Sequence, residues 1–113
     1  MKKVVIANFG YTTLAKPQYD ALAVSVTDAL KNHKVKVEIT TSPEKIDDSA
    51  TTVVFLSWGG IVTAKKLKHD YPLKKVVIFT GIPFKSGDEN GGMIFVHKNS
   101  KDGVEKLVSA ILN

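Results

Sequence analysis

Two repeats of apolar and polar positions alternate along the chain, and the switches between them lay out its elements. Between the polar run Asp47-Asp48-Ser49 and the glycine pair Gly59-Gly60, the residues Val53, Val54, Phe55 and Leu56 follow one another without a polar interruption. A short, uninterrupted run rich in β-branched and aromatic side chains suits a strand covered on both faces. Residues 3–8 and 75–80 repeat that pattern and predict a first and a fourth strand, and residues 93–97 predict a fifth. Val35, Val37 and Ile39 instead alternate with Lys36, Glu38 and Thr40, which is the period of a strand with one exposed face and puts the second strand at or near the sheet edge.

The helical period fills the gaps. Tyr19, Leu22, Ala23, Val26, Ala29 and Leu30 mark the buried stripe of a helix that starts between Leu14 and Pro17, where proline's missing N–H is tolerated, and ends near Asn32 and His33. Ile61, Ala64, Leu67 and Tyr71 give the inner face of a helix stopped by Pro72, and Val104, Leu107, Val108 and Ile111 that of the last, with Ser100 as its cap and Asp102 and Glu105 near its positive end. Between the second and third strands only a single turn is expected, capped by Ser42 and begun by Pro43, so the helix there is vestigial. Residues 81–92 carry four glycines and Pro83, which suits a loop.

Strands alternating with helices predict an α/β fold: a single domain over residues 1–113, built as a three-layer α/β/α sandwich on a five-stranded, mainly parallel sheet of order 2-1-3-4-5. The twelve residues before the fifth strand barely complete a parallel crossover, so an antiparallel fifth strand is the alternative.

Composition narrows the chemistry. At 113 residues and 43% hydrophobic, one core can bury about two-thirds of the surface of the unfolded chain. With no cysteine, disulfides, thiolate metal sites and thiol catalysis are excluded. The net charge is +5 and the 16 basic residues are all lysine, so no guanidinium fork is available for phosphate or carboxylate. Lys65, Lys66, Lys68, Lys74 and Lys75 form the densest cluster. No aromatic side chains interleave them, which reads as a solvated face and not as a nucleic-acid platform. No apolar stretch approaches the roughly 18 residues of a membrane span, the start of the chain reads as a strand and not a leader, and the default expectation is a cytoplasmic protein.

In open α/β sheets ligands bind beyond the carboxyl ends of the strands. Three loops meet there. The first leads into a helix, whose amides together with the hydroxyls of Tyr11, Thr12 and Thr13 could receive a phosphate; otherwise a threonine simply caps the helix. The second carries Ser57, Trp58, Gly59 and Gly60, where the indole could wall a planar ligand and the glycines permit close approach, or form only a tight turn. The third, from Gly81, contains Phe84 as an opposite wall, or as a ring packed under its own loop, and Asp88-Glu89 as a sugar contact or a solvated turn. His33, His69 and His97 lie in separate segments and give no metal or general-base site, and no two titratable residues are forced together, so no catalytic residue is assigned.

The loop Gly10-Tyr11-Thr12-Thr13-Leu14-Ala15-Lys16, the run Ser57-Trp58-Gly59-Gly60, the strand ending Thr80-Gly81 and the pair Gly87-Asp88 together resemble the flavodoxin family over nearly the whole chain. That resemblance implies a flavodoxin-like flavoprotein binding FMN, with the phosphate at Tyr11, Thr12 and Thr13, the ring near Trp58 and Phe84, and electron transfer to a redox partner protein. Leu14 and Lys16 depart from the family's phosphate loop, and the basic charge departs from its usual acidity. The alternative is a cofactor-free flavodoxin-like binding module for a protein or an anionic small molecule.

Overall fold

A computed structural model describes residues 2–81, 92–98 and 101–113. Its five strands are β1 (Lys2–Ala7), β2 (Val35–Thr40), β3 (Thr52–Phe55), β4 (Lys75–Thr80) and β5 (Ile94–His97), all parallel, in the order β2-β1-β3-β4-β5. The expected order therefore holds, and the fifth strand runs parallel to β4, pairing Val77 with Ile94 and Thr80 with His97. The helices are α1 (Lys16–Leu30), α2 (Ile61–Asp70) and α3 (Gly103–Leu112), with single 3₁₀ turns at Thr13–Ala15, Pro43–Lys45 and Trp58–Gly60.

Side chains of a strand alternate between faces, so the sheet makes two cores. Val4, Ile6, Val54, Leu56, Val77, Phe79 and Val96 pack against Ala23, Val26 and Leu30 of α1 and Leu107 and Ile111 of α3. On the other face Val5, Ala7, Val53, Phe55, Val76 and Ile78 pack with Ala64 of α2. β1, β3 and β4, read from continuous apolar runs, lie inside the sheet, and its edges are the alternating β2 and the short β5. The last turn of α3 ends on Lys75, whose Nζ donates to the carbonyls of Ala110 at 2.9 Å and Ile111 at 3.3 Å. A cation at the negative end of a helix satisfies carbonyls that the helix itself leaves free.

Three local expectations change. Ala29 and Tyr71 are exposed, because α1 presents a narrower stripe than its apolar count suggests and Tyr71 falls just past the end of α2. Ser42 does not cap the turn at Pro43 through its hydroxyl, which donates to the Glu44 carboxylate instead. The cap read at Ser100, the ring of Phe84 and the pair Asp88-Glu89 lie outside the described residues.

Candidate functional site

Four polar residues stand at the carboxyl edge of the sheet, each at or just past a strand end: Asn8 after β1, Ser57 after β3, Thr80 closing β4 and Lys98 after β5. The first three are buried, at 3%, 6% and 1% exposure. Lys98 organises the group. Its backbone N–H donates to the Thr80 carbonyl at 2.9 Å, and its ammonium reaches past the end of β4 to the Leu56 carbonyl at 2.9 Å. The same ammonium donates to the Tyr19 hydroxyl at 3.0 Å and lies 4.2 Å from the centre of that ring. Among the described residues a carbonyl, a phenol oxygen and an aromatic face hold the cation, and no carboxylate does.

Tyr19 comes from the first turns of α1, where Tyr11 stacks on it with ring centres 4.4 Å apart and planes 6° from parallel. Burial pushes the Tyr19 phenol up, but the hydrogen bond from Lys98, the nearby Ser57 hydroxyl and the Lys98 charge outweigh it, and the phenol sits below its ordinary value. For Tyr11 burial comes first and the nearby Asp20 adds to it, so that phenol sits above its ordinary value. Asp20 accepts from the Asn8 amide at 2.8 Å and from Lys16 Nζ at 2.6 Å, and the Lys16 ammonium, with the Asn8 amide, holds its carboxyl below the usual range. Among the described residues Asn8 Oδ1 is the buried side-chain oxygen without a partner.

The sequence-derived candidates divide between this cluster and its surroundings. Tyr11 and Ser57 belong to it. Ser57 Oγ donates to the Gly10 carbonyl at 3.0 Å and accepts from the Gly59 N–H at 3.2 Å, which closes the loop after β1 against the loop after β3. The glycines serve that closure. A Cβ on Gly59 would fall 1.7 Å from the Gly10 oxygen, and one on Gly60 2.8 Å from the Phe55 ring. Thr12 and Thr13 are exposed, and Thr12 makes no capping hydrogen bond through its side chain. Trp58 leans on Phe95 of β5, centres 6.0 Å apart at 45°, as part of the core beneath α2. Gly81 follows β4 at intermediate exposure, and Phe84 lies outside the described residues. No motif in the sequence marks Lys98 or Thr80 as a site residue, and Tyr19 carries only the helical period of a core position. Their one signal is positional, since each polar residue closes an apolar strand on the side where ligands meet such sheets.

No family model matches the chain, and no curated protein matches it. Solved structures do. Response regulator TrrA from Thermotoga maritima, in complex with Mg²⁺-BeF, superposes with a TM-score of 0.68 at 12% identity, over 100% of each chain. The receiver domain of Francisella response regulator 1452 gives 0.70 at 12% identity, covering 99% of this chain and 94% of that one. HP1043, an orphan response regulator of H. pylori, gives 0.70 at 14%, covering 98% and 93%. These receiver domains share the flavodoxin-like fold, so the fold read from the sequence stands while the flavodoxin family does not. FMN, the flavoprotein assignment, electron transfer and a redox partner are corrected on the same finding: the structural neighbours are signalling domains, one of them bound to Mg²⁺-BeF.

Magnesium requires several hard oxygen ligands, carboxylates first. The carboxylate that bonds to this cluster among the described residues is Asp20, already engaged by Lys16 and Asn8. No group of three His, Cys, Asp or Glu residues able to hold a metal occurs among the described residues. The donor set among the described residues does not fit the ion. The chain shares the architecture of receiver domains, with a carboxyl edge built on a lysine held by neutral oxygens.

Proposed function

We propose that the chain is a receiver-like regulatory domain that acts by contact with a partner protein, its carboxyl edge fixed internally and independent of phosphoryl transfer. The observation that carries this reading is the seat of Lys98, held by the Leu56 carbonyl and by Tyr19. A cation satisfied in this way already spans β3 to β5, and among the described residues it faces no carboxylate at the strand ends that could accept a phosphoryl group. The likeness to receiver domains supports the regulatory role, and the lack of a fitting cation ligand set among the described residues supports independence from magnesium.

The test is to add acetyl phosphate with magnesium chloride, and separately beryllofluoride with magnesium chloride, to ¹⁵N-labelled protein. The intact mass is expected to stay unchanged, and the amide signals of Asn8, Ser57, Thr80 and Lys98 are expected to stay in place. A phosphoryl adduct, or saturable shifts at those four amides, overturns the reading.

A further inference from the structure

Among the described residues the edge strand β2 leaves one side of its backbone without a neighbouring strand. In a parallel ladder alternate residues bond to alternate sides. The Thr40 carbonyl accepts the Asn8 N–H at 2.8 Å, so Thr40, Glu38 and Lys36 bond toward β1, and Val35, Val37 and Ile39 point their amides and carbonyls outward. The Val35 N–H is taken locally by the His33 carbonyl at 2.8 Å, and Ile39 is 42% exposed. Such an edge invites another strand.

We propose that β2 pairs antiparallel with β2 of a second copy of this chain, about a two-fold axis through Val37. The sequence of the strand is complementary to itself about that residue and about no neighbouring one. With the axis at Val37, Val37 faces Val37 of the second copy, Val35 faces Ile39, and Lys36 faces Glu38, twice by symmetry. Val37 and its symmetry mate then fall opposite each other as a hydrogen-bonded pair, and on either side the Ile39 N–H meets the Val35 carbonyl, while the Val35 N–H keeps its local partner His33. Lys36 and Glu38 fall into the class of pair whose side chains approach most closely. Moving the axis to Val35 sets Lys34 against Lys36, and moving it to Ile39 sets Glu38 against Thr40.

Lys36 is exposed and makes no ion pair among the described residues, while the Glu38 carboxylate, 41% exposed, has one partner, Lys3 Nζ at 3.0 Å, and room for a second. A lone lysine guards an edge against pairing; a glutamate two positions on, on the same face, selects a partner of the same sequence. No α-helix lies between β2 and β3 in the chain, where only the turn Pro43–Lys45 is found.

Sedimentation equilibrium tests the pairing, with circular dichroism confirming that each variant is folded. The wild type is expected to dimerise below about millimolar concentration. Lys36→Glu sets a second carboxylate against Glu38, twice by symmetry, and is expected to weaken the dimer at least about tenfold. Glu38→Lys does the same with lysines, and mixing the two variants is expected to restore association as a heterodimer in which like charges no longer face each other at both pairs. In that heterodimer the carboxylates of one copy, at position 36 and at Glu38, lie opposite the two lysines of the other. Val37→Pro removes an N–H that points outward and so abolishes the dimer without breaking the ladder to β1. A wild type that stays monomeric at millimolar concentration, a dimer indifferent to Val37→Pro, or a mixture of the charge variants that does not associate overturns the proposal.

Discussion

Gly59 lies against the carbonyl of Gly10 so closely that a Cβ on Gly59 would stand 1.7 Å from the Gly10 oxygen. The loops after β1 and β3 therefore meet backbone to backbone, and Gly10 itself adopts a φ of 88°, which side chains rarely tolerate. Because the obstructing atoms are main chain, the contact can relax only by moving a loop. Gly59→Ala is expected to cost about 3 kcal/mol in urea denaturation. Gly60→Ala meets a Phe55 ring, which can shift, and is expected to cost about 1 kcal/mol. Equal stability of Gly59→Ala and wild type would mean that the two loops do not touch in solution.

The seat of Lys98 on Tyr19 sets the alkaline behaviour of the site. Burial alone would raise the Tyr19 phenol, so Lys98→Met, which removes the cation and keeps the burial, is expected to move this phenol from below its ordinary value to above it. A phenol lowered in the fold favours the ionised form, so its contribution to stability is absent at neutral pH. That contribution grows as pH rises through the folded pKa toward the unfolded value of about 10. Tyr11, raised in the fold, works in the opposite sense and loses its contribution above about pH 10. Tyrosinate absorbance should therefore show an early component in the wild type that both Lys98→Met and Tyr19→Phe remove. An early component that survives in Lys98→Met would show that the ammonium is not what lowers Tyr19.

Trp58 is the single tryptophan, and its contact with Phe95 makes it a reporter of the packing between α2 and β5. Phe95→Ala opens a gap beside a half-buried indole. It is expected to cost about 2 kcal/mol, less than the loss of a fully buried aromatic ring, and to shift Trp58 emission to longer wavelength. Unchanged emission in a folded variant would separate the two rings.

Much of this architecture is legible in the sequence because it rests on period. Continuous apolar runs at β1, β3 and β4 and the alternation at β2 place the interior and edge strands, and Pro17 and Pro72 mark helix limits that α1 and α2 respect. Even the vestigial turn at Pro43 is readable. The site is less legible, for a physical reason. Trp58 and Gly59-Gly60 carry the same local signature whether the glycines admit a ligand or another backbone, and only the distant Gly10 and Phe95 decide between them. Lys98 is one of sixteen lysines in the sequence and acquires its role from Leu56 and Tyr19, 42 and 79 positions away. Family resemblance through short loop motifs then favours a flavin, where the whole fold matches receiver domains.

Acid should weaken the fold through two carboxylates on opposite sides of β1. Asp47 accepts hydrogen bonds from Lys3, foremost, and from the Ser49 amide and hydroxyl, and these hold its carboxyl far below the usual range. Asp20 is lowered by Lys16 and Asn8. A carboxyl lowered in the fold contributes its stability fully above the unfolded pKa of about 4 and loses it as pH falls below that toward the folded value. Both groups are partly solvated, so the effect is modest and is further reduced by salt. The urea midpoint is expected to be flat from pH 7 to about 5 and to decline below about pH 4. Asp47→Asn should lower the neutral plateau and flatten the decline, since the amide cannot titrate. Lys3→Met should lower the plateau further, because Glu38 loses its partner as well, and Asp47→Asn should add little in that background because the interaction they share is already gone. A decline in Asp47→Asn as steep as that of the wild type would assign the acid sensitivity to other carboxylates.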